Sequence, residues 1–339
     1  MMKRFFSVVF SLILIVLTIV PCFAGEKKDY SHLEGTTLNV YNWGEYIADG
    51  SEGTLDLNAE FTRRTGIKVN YTNYASNEDM YAKLKSGGAT YDVIIPSDYM
   101  VQRLINENML VELDFDNIPN FKYIEERYRY LSYDPDNKFS VPYTVGMVGL
   151  IYNSKMVDEA PRSWNIMWDE KYSGDILMFN NPRDAFAIAQ LVTNIGFNTQ
   201  DPTEWAIAYD KLLEQKPLIQ SYVMDEIFNK MENNEAAIAP YYAGDFLSMK
   251  DNNDLLEFVY PEEGTNYFVD AMCIPKGTQN KSAAEMYINF MLEPDIALEN
   301  AEYIYYASPH SEVINNPDYS LYKNPVIYPE EGSVNTQIF

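Results

Sequence analysis

The sequence predicts an α/β protein of two lobes, each a mostly parallel sheet flanked by helices, with a ligand cleft between them. Strand-like and helix-like runs alternate from Gly35 onward, which is the signature of βαβ units joined by right-handed crossovers. The chain has 339 residues and is 47% hydrophobic, enough for one large or two medium domains. A long apolar run with two glycines, VPYTVGMVGLIY at 141–152, is compatible with an interior strand and reads as a strand that crosses from one lobe to the other. A second crossing near 270 divides the chain into lobe 1, residues 36–141 plus about 271–315, and lobe 2, residues 142–270 plus about 316–339.

The elements follow in order. Lys3 and Arg4 precede an apolar run from Phe5 to Val20 and then Pro21, Cys22, Phe23 and Ala24, a secretory signal peptide over 1–24. The run is slightly short for a membrane span, which needs roughly 17–25 residues. Cys22 also permits lipid anchoring at the outer face of the cytoplasmic membrane, but Pro21 stands where that signal carries Gly or Ala, so cleavage after Ala24 is favoured. Cys273 is then left alone among apolar neighbours, a buried hydrophobe rather than a nucleophile.

A strand beginning at Leu38 runs into a loop that presents Trp43, Glu45 and Tyr46. Leu57 and Phe61 lie one turn apart on a helix ending at Gly66, and a strand follows over 67–71. Ser76 and Asp79 form a capping box ahead of Met80, Tyr81 and Leu84, closed by Gly87 and Gly88. The strand 91–95 opens into a second loop, Pro96 to Tyr99. Beyond the crossing, the strand 176–179 leads to a polar loop from Asn180 to Asp184, where Asp184 suits both a ligand and a helix N-terminus. Surface helices are expected over 201–213 and 225–233, and a buried strand over 236–241 leads to Tyr242 and Asp245. A strand at 258–261 follows, and Asn266 to Asp270 precede a strand at 271–275. Ser282 and Glu285 cap a helix stopped by Pro294, and the remainder is less regular.

Charge narrows the function. A net charge of −25 argues against a nucleic-acid partner and against anionic membrane surfaces, and it concentrates cationic ligands near a cleft. In open α/β sheets, ligands bind beyond the carboxyl ends of strands, which is where Trp43, Glu45 and Tyr46 fall. An indole face, a phenol and a carboxylate together suit an organic cation. The same three residues are equally consistent with two core rings and a solvated Glu45. A second loop of similar character, with Ser97 and Tyr99, tips the balance toward ligand binding.

Enzyme chemistry is not expected. Only His32 and His310 are present, with no Gly-x-Ser-x-Gly elbow, no Gly-rich phosphate loop and no His/Cys ligand spacing. A carboxylate-dependent hydrolase is the remaining enzymatic alternative. Tyr241-Tyr242 and Tyr305-Tyr306 raise ferric-ion binding as another, although two buried aromatic pairs explain them more simply. No metal or cofactor is expected.

The strings NWGEY, YASNEDMYAKL, YDVIIPSDYMV, YPEEG and NFMLEPDIA, in this order, resemble the spermidine/putrescine-binding proteins of bacterial ABC importers from about Thr37 onward. The resemblance implies a periplasmic-binding-protein-like fold and an exported monomer that captures a polyamine by lobe closure and hands it to a permease with its ATPase. It further implies that Trp43, Glu45 and Tyr46 supply an aromatic wall and an acid, Ser97 and Tyr99 a hydroxyl and a ring, and Asp184 the second-lobe acid. Tyr242 is the implied ring before the Gly of the next loop, and Phe268 and Asp270 the implied ring and acid preceding the last crossing. Asp245 resembles the putrescine-preferring branch. Asn181 replaces an acid of some relatives, and Tyr242 and Phe268 replace tryptophans, so the choice among putrescine, spermidine and spermine stays open. Relatives usually continue with a further helix beyond the part matching Phe339, and the polar contact made from there has no counterpart to carry over. A chain with a cation at each end and methylenes between needs separated acids and rings along the middle, and this set supplies both.

Overall fold

The computed structural model describes residues 31–88 and 90–339, so the signal peptide over 1–24 and Cys22 lie outside the described residues. The first half builds β1 (Thr37–Trp43), α1 (Leu57–Thr65), β2 (Lys68–Tyr74), α2 (Asn77–Ser86), β3 (Val93–Ile94) and α3 (Asp98–Asn106). A long strand, β4 (Ser140–Asn153), carries the chain across to β5 (Ile176–Phe179), α4 (Pro182–Val192), α5 (Pro202–Gln215), β6 (Ile219–Val223), α6 (Glu226–Glu232), β7 (Ile238–Tyr242), α7 (Ala243–Asn252) and β8 (Leu256–Val259). The return strand β9 (Thr265–Cys273) leads to α8 (Lys281–Met291), α9 (Pro294–Ile304), α10 (Ser311–Ile314) and β10 (Thr336–Gln337).

The strands join in the order β2-β1-β3-β9-β4-β7-β5-β6, with β8 on β4 and β10 on β9. The outer strands are parallel as expected: β1 with β2 and β3, and β5 with β6 and β7. The middle differs, because β4 and β9 run between the halves in opposite directions and pair antiparallel with each other and with β3 and β7. One stretch of β4, Ser140 to Met147, pairs with β9, and the next, Val148 to Tyr152, pairs with β7.

Two cores form on this sheet. Leu38, Phe61, Met100 and Val145 belong to one, and Val148, Trp164, Ile176 and Tyr241 to the other. The division falls between Val145 and Val148 on β4 and between Phe268 and Val269 on β9. Tyr46 comes from a first-half loop yet packs in the second core.

Local signals explain the early elements. The Ser76 hydroxyl accepts from the Asp79 N–H at 3.1 Å and starts α2, and Gly66 and Gly87 end α1 and α2 at φ values of 73° and 64°. Other expectations are corrected. The segment Pro96 to Tyr99 is a loop only as far as Ser97, the N-cap of α3. The strand expected at 271–275 starts earlier and ends sooner, and Asn266 to Asp270 belong to continuous β9, Thr265–Cys273. Glu285 does not cap α8, which starts after Asn280. It is 1% exposed and accepts from the Asp114 N–H at 2.8 Å and from Asn117 Nδ2 at 2.7 Å. Pro294 opens α9 instead of ending the regular structure, since a proline at the first helical position forfeits no helical hydrogen bond.

Candidate functional site

A cleft with about 590 Å³ of atom-free space, mouth included, opens between the two halves. Its walls come from the carboxyl ends of β1, β3, β5 and β7 and from the inner face of β9, the edge at which open α/β sheets bind ligands.

β1 delivers Trp43, whose indole N–H donates to the Ile95 carbonyl at 2.9 Å, fixing the ring as part of the wall. The next residue crosses toward the other half. A Cβ on Gly44 would stand 2.3 Å from Asp225 Oδ2, so any larger residue here displaces the Asp225 carboxylate. Glu45 adopts φ 45° and stands exposed at the mouth beside Asp225, outside the lining of the cleft itself. Partial desolvation against the facing wall raises its carboxyl above the usual range, and the nearby Asp225 and Asp49 charges add to that.

Tyr46 is buried, and its hydroxyl donates to Asp270 Oδ2 at 2.7 Å while also touching Thr144 Oγ1. Its phenol therefore holds an acid in place. Asp270 is 3% exposed, and burial pushes its carboxyl up to about 6 against the opposing hydrogen bond from Tyr46. Its Oδ1 meets no donor in full hydrogen-bond geometry, although the nearby Ser97 hydroxyl also favours the ionised carboxylate.

Ser97 and Tyr99 are joined by Asn77, whose Nδ2 donates to Ser97 Oγ and to the Tyr99 hydroxyl, both at 3.1 Å. The Arg183 guanidinium, from the other half, covers the Tyr99 ring at 4.3 Å.

Asp184 lies in the first turn of α4, behind its N-cap Asn181, so the helix-terminal and cleft-lining readings both hold. Its Oδ2 accepts from Asn181 Nδ2 and from the Tyr242 hydroxyl, each at 2.7 Å, and its Oδ1 accepts from Asn266 Nδ2 at 3.3 Å. Burial raises it to about 6 even so. Tyr242 meets Phe268 edge to face at 5.6 Å, and Phe268 lies over Gly146 of β4, where any Cβ would stand 2.3 Å from its ring. Asp245, in the first turn of α7, accepts from the Tyr306 hydroxyl at 3.0 Å. Burial drives its carboxyl well above the ordinary range, with the Asp225 and Glu45 charges acting in the same direction.

The cleft thus brings together Trp43, Tyr46, Ser97, Tyr99, Asp184, Tyr242, Asp245, Phe268 and Asp270, and leaves Glu45 at the rim. Sequence reading missed Asn77, Asp225, Asn266 and Tyr306, which also line it. The capping string around Asn77 marked that helix start and the Tyr305-Tyr306 pair marked Tyr306 for a different ligand, but nothing local marked Asp225 or Asn266. Four aspartates and no Lys, Arg or His line the cleft among the described residues. The tyrosines do not favour a ferric site: the Tyr242 and Tyr306 hydroxyls are donated to carboxylates, and burial pushes the phenols of Tyr241, Tyr242 and Tyr306 upward, against the tyrosinate form.

Comparison with known proteins decides the family. The model of the bacterial extracellular solute-binding proteins matches residues 56–326. The chain belongs to that family. Among relatives of this solute-binding protein, the spermidine/putrescine-binding periplasmic protein of Salmonella typhimurium is 34% identical, covering 82% of this chain and 78% of its own. The Escherichia coli protein of the same name is 31% identical over 89% and 85%. A solved structure from Listeria monocytogenes, assigned to spermidine/putrescine ABC transport, superposes with a TM-score of 0.85 at 35% identity, over 90% of this chain and 93% of that one. The substrate-binding protein PotD of Streptococcus pneumoniae gives a TM-score of 0.71 at 37% identity, over 87% and 90%. The predicted periplasmic-binding-protein-like fold is therefore the observed one. These relatives are binding proteins of transporters, and those named periplasmic agree with an exported protein.

Proposed function

We propose that this protein binds a polyamine of the spermidine/putrescine class in the cleft and delivers it to the permease of an ABC importer. The carrying observation is the lining: four aspartates contributed by both halves, aromatic rings between them, and no cationic side chain among the described residues. A ligand with separated ammonium groups is attracted by that acidic lining, and its methylenes lie against Trp43, Tyr242 and Phe268. Charge-assisted hydrogen bonds contribute about 1.5–3 kcal/mol each and a desolvated cation–π contact about 2 kcal/mol. After the cost of ordering the ligand, two or three such contacts suffice for binding in the roughly micromolar range, about −8 kcal/mol.

The two halves act as lobes that rotate about β4 and β9, with the division of the cores as the lobe boundary, and the closed monomer is the form the permease receives. The distribution of the lining over both halves supports this. At the N-terminus we favour cleavage after Ala24 over lipidation of Cys22, a choice that mass spectrometry of the mature protein decides.

Titration calorimetry of the mature protein with putrescine, cadaverine, spermidine and spermine tests the assignment. Saturable binding of at least one at micromolar concentration is expected. No heat from any of the four, with a folded protein by circular dichroism, overturns it.

A further inference from the structure

Asp184 matches the acid that relatives are expected to turn toward the ligand, yet its oxygens are already engaged. A carboxylate offers about four acceptor sites. Here Asn181, Tyr242 and Asn266 fill three of them, and the residue is 4% exposed.

Asn266 is oriented by that arrangement. Its Nδ2 faces the Asp184 carboxylate, which can only accept while ionised, so the amide cannot be flipped without opposing two oxygens. Oδ1 is therefore aimed away from Asp184. That atom is buried, lacks a hydrogen-bond partner, and belongs to a residue 5% exposed that lines the cleft. An orphaned buried acceptor costs about 1–3 kcal/mol unless something donates to it.

Asp270 Oδ1 is the other cleft acceptor with no donor in full hydrogen-bond geometry, the Ser97 hydroxyl being its neighbour. Asn266, Phe268 and Asp270 alternate along β9 and so share one face of the strand. At about 3.3 Å per residue, the two acceptors originate about 13 Å apart along the backbone, with the Phe268 ring between them. That is an acceptor, an apolar wall and a second acceptor in one line.

We infer that Asn266 is a ligand-contacting, specificity-determining residue: its Oδ1 receives an N–H from the ligand at the end remote from Asp270, and Asp184 is its positioning residue. The inference rests on the polyamine reading and deepens it. It assigns the far-end contact to a neutral amide backed by a carboxylate, so the far end is read as a hydrogen-bond donor first and as a charge second. A ligand with donors at both ends engages both acceptors. A monoamine of the same carbon length engages only Asp270.

The test is a cycle between protein and ligand, using Asn266→Leu and Asn266→Asp with putrescine and 1-aminobutane, read by calorimetry and by competition for the weaker ligand. Asn266→Leu is expected to weaken putrescine by about ten- to a hundredfold, the worth of one charge-assisted bond, and to leave 1-aminobutane within about threefold. Asn266→Asp at pH 6 shares a proton with Asp184, so its O–H replaces the amide donor and its carbonyl the acceptor. It is expected to stay within about threefold of wild type for putrescine. Equal losses for both ligands, or an Asn266→Asp protein as weak as Asn266→Leu, overturn the inference and reduce Asn266 to a support for Asp184. If wild type binds no polyamine, the function proposed above fails instead, and the two failures are distinguishable.

Discussion

Binding of a polyamine should weaken as the medium is acidified, and the structure sets the size of the effect. Asp270 and Asp184 are both held at about 6 by burial, above the usual carboxylate range. At pH 7.5 both are almost fully ionised, whereas at pH 5 about one in ten of each is. The ammonium groups of the ligand, with pKa values of about 10, stay charged throughout, so the change belongs to the protein. If the cation requires only Asp270 ionised, Kd rises about tenfold between pH 7.5 and pH 5. If it also requires Asp184, Kd rises about a hundredfold, or about 2.7 kcal/mol at 1.36 kcal/mol per decade. At pH 6 each carboxyl is half protonated, so binding expels up to about one proton in total. The assay is calorimetry at several pH values in two buffers of different ionisation enthalpy. A Kd that stays flat from pH 5 to 7.5, with heats independent of buffer, would refute the claim that ionised Asp270 receives the cation.

The same shift reverses sign in the stability of the empty protein. Because the folded carboxyl holds its proton more tightly than the unfolded one, the empty protein is most stable below about pH 4 in this respect and loses that contribution as pH rises to about 6. Asp270→Asn, neutral at every pH, should therefore raise the melting temperature of the empty protein at pH 7.5, lose that advantage at pH 4, and weaken polyamine binding about ten- to a hundredfold. A lower melting temperature at pH 7.5 would count against the burial argument. Tyr46→Phe removes the hydrogen bond that favours ionised Asp270, so the midpoint of the pH dependence should move upward from wild type. An unmoved midpoint would mean the Tyr46 hydroxyl does not position that carboxyl. Small-angle scattering should show compaction on saturation with spermidine, and identical profiles would exclude lobe closure in solution.

Legibility in the sequence followed the range of the interaction that fixes each feature. α1 and α2 are set by contacts within one turn, the Ser76 cap and the left-handed glycines 66 and 87, and those were readable. The sequence marks a strand only from Ala271, because Asn266 and Asp270 interrupt the apolar pattern before it. A strand can bury such residues when its face lines a cleft, and no local pattern distinguishes that case from a loop. Pro294 signals a stop in the sequence, yet its place in the first turn makes it the start of α9. In the site, the aromatic and acidic residues at strand ends were visible both as chemistry and through the resemblance. Asp225 was not, since its role depends on Gly44 of the other half, a meeting that only the folded chain creates.

The placement of Tyr46 ties ligand recognition to the connection between the halves. The residue leaves a first-half loop, packs in the second core, and bonds through one hydroxyl to Thr144 on β4 and Asp270 on β9, which face each other across the ladder. Those two strands carry the chain between the halves. The acid proposed to receive the cation is thus anchored at the crossing itself, not on a peripheral loop. Ionising Asp270 in the empty protein opposes burial at that crossing, and an ammonium group donating to its Oδ1 removes the penalty. Any gain from binding is therefore delivered at the strands about which the halves would turn, which gives the cation direct leverage over how the two halves sit.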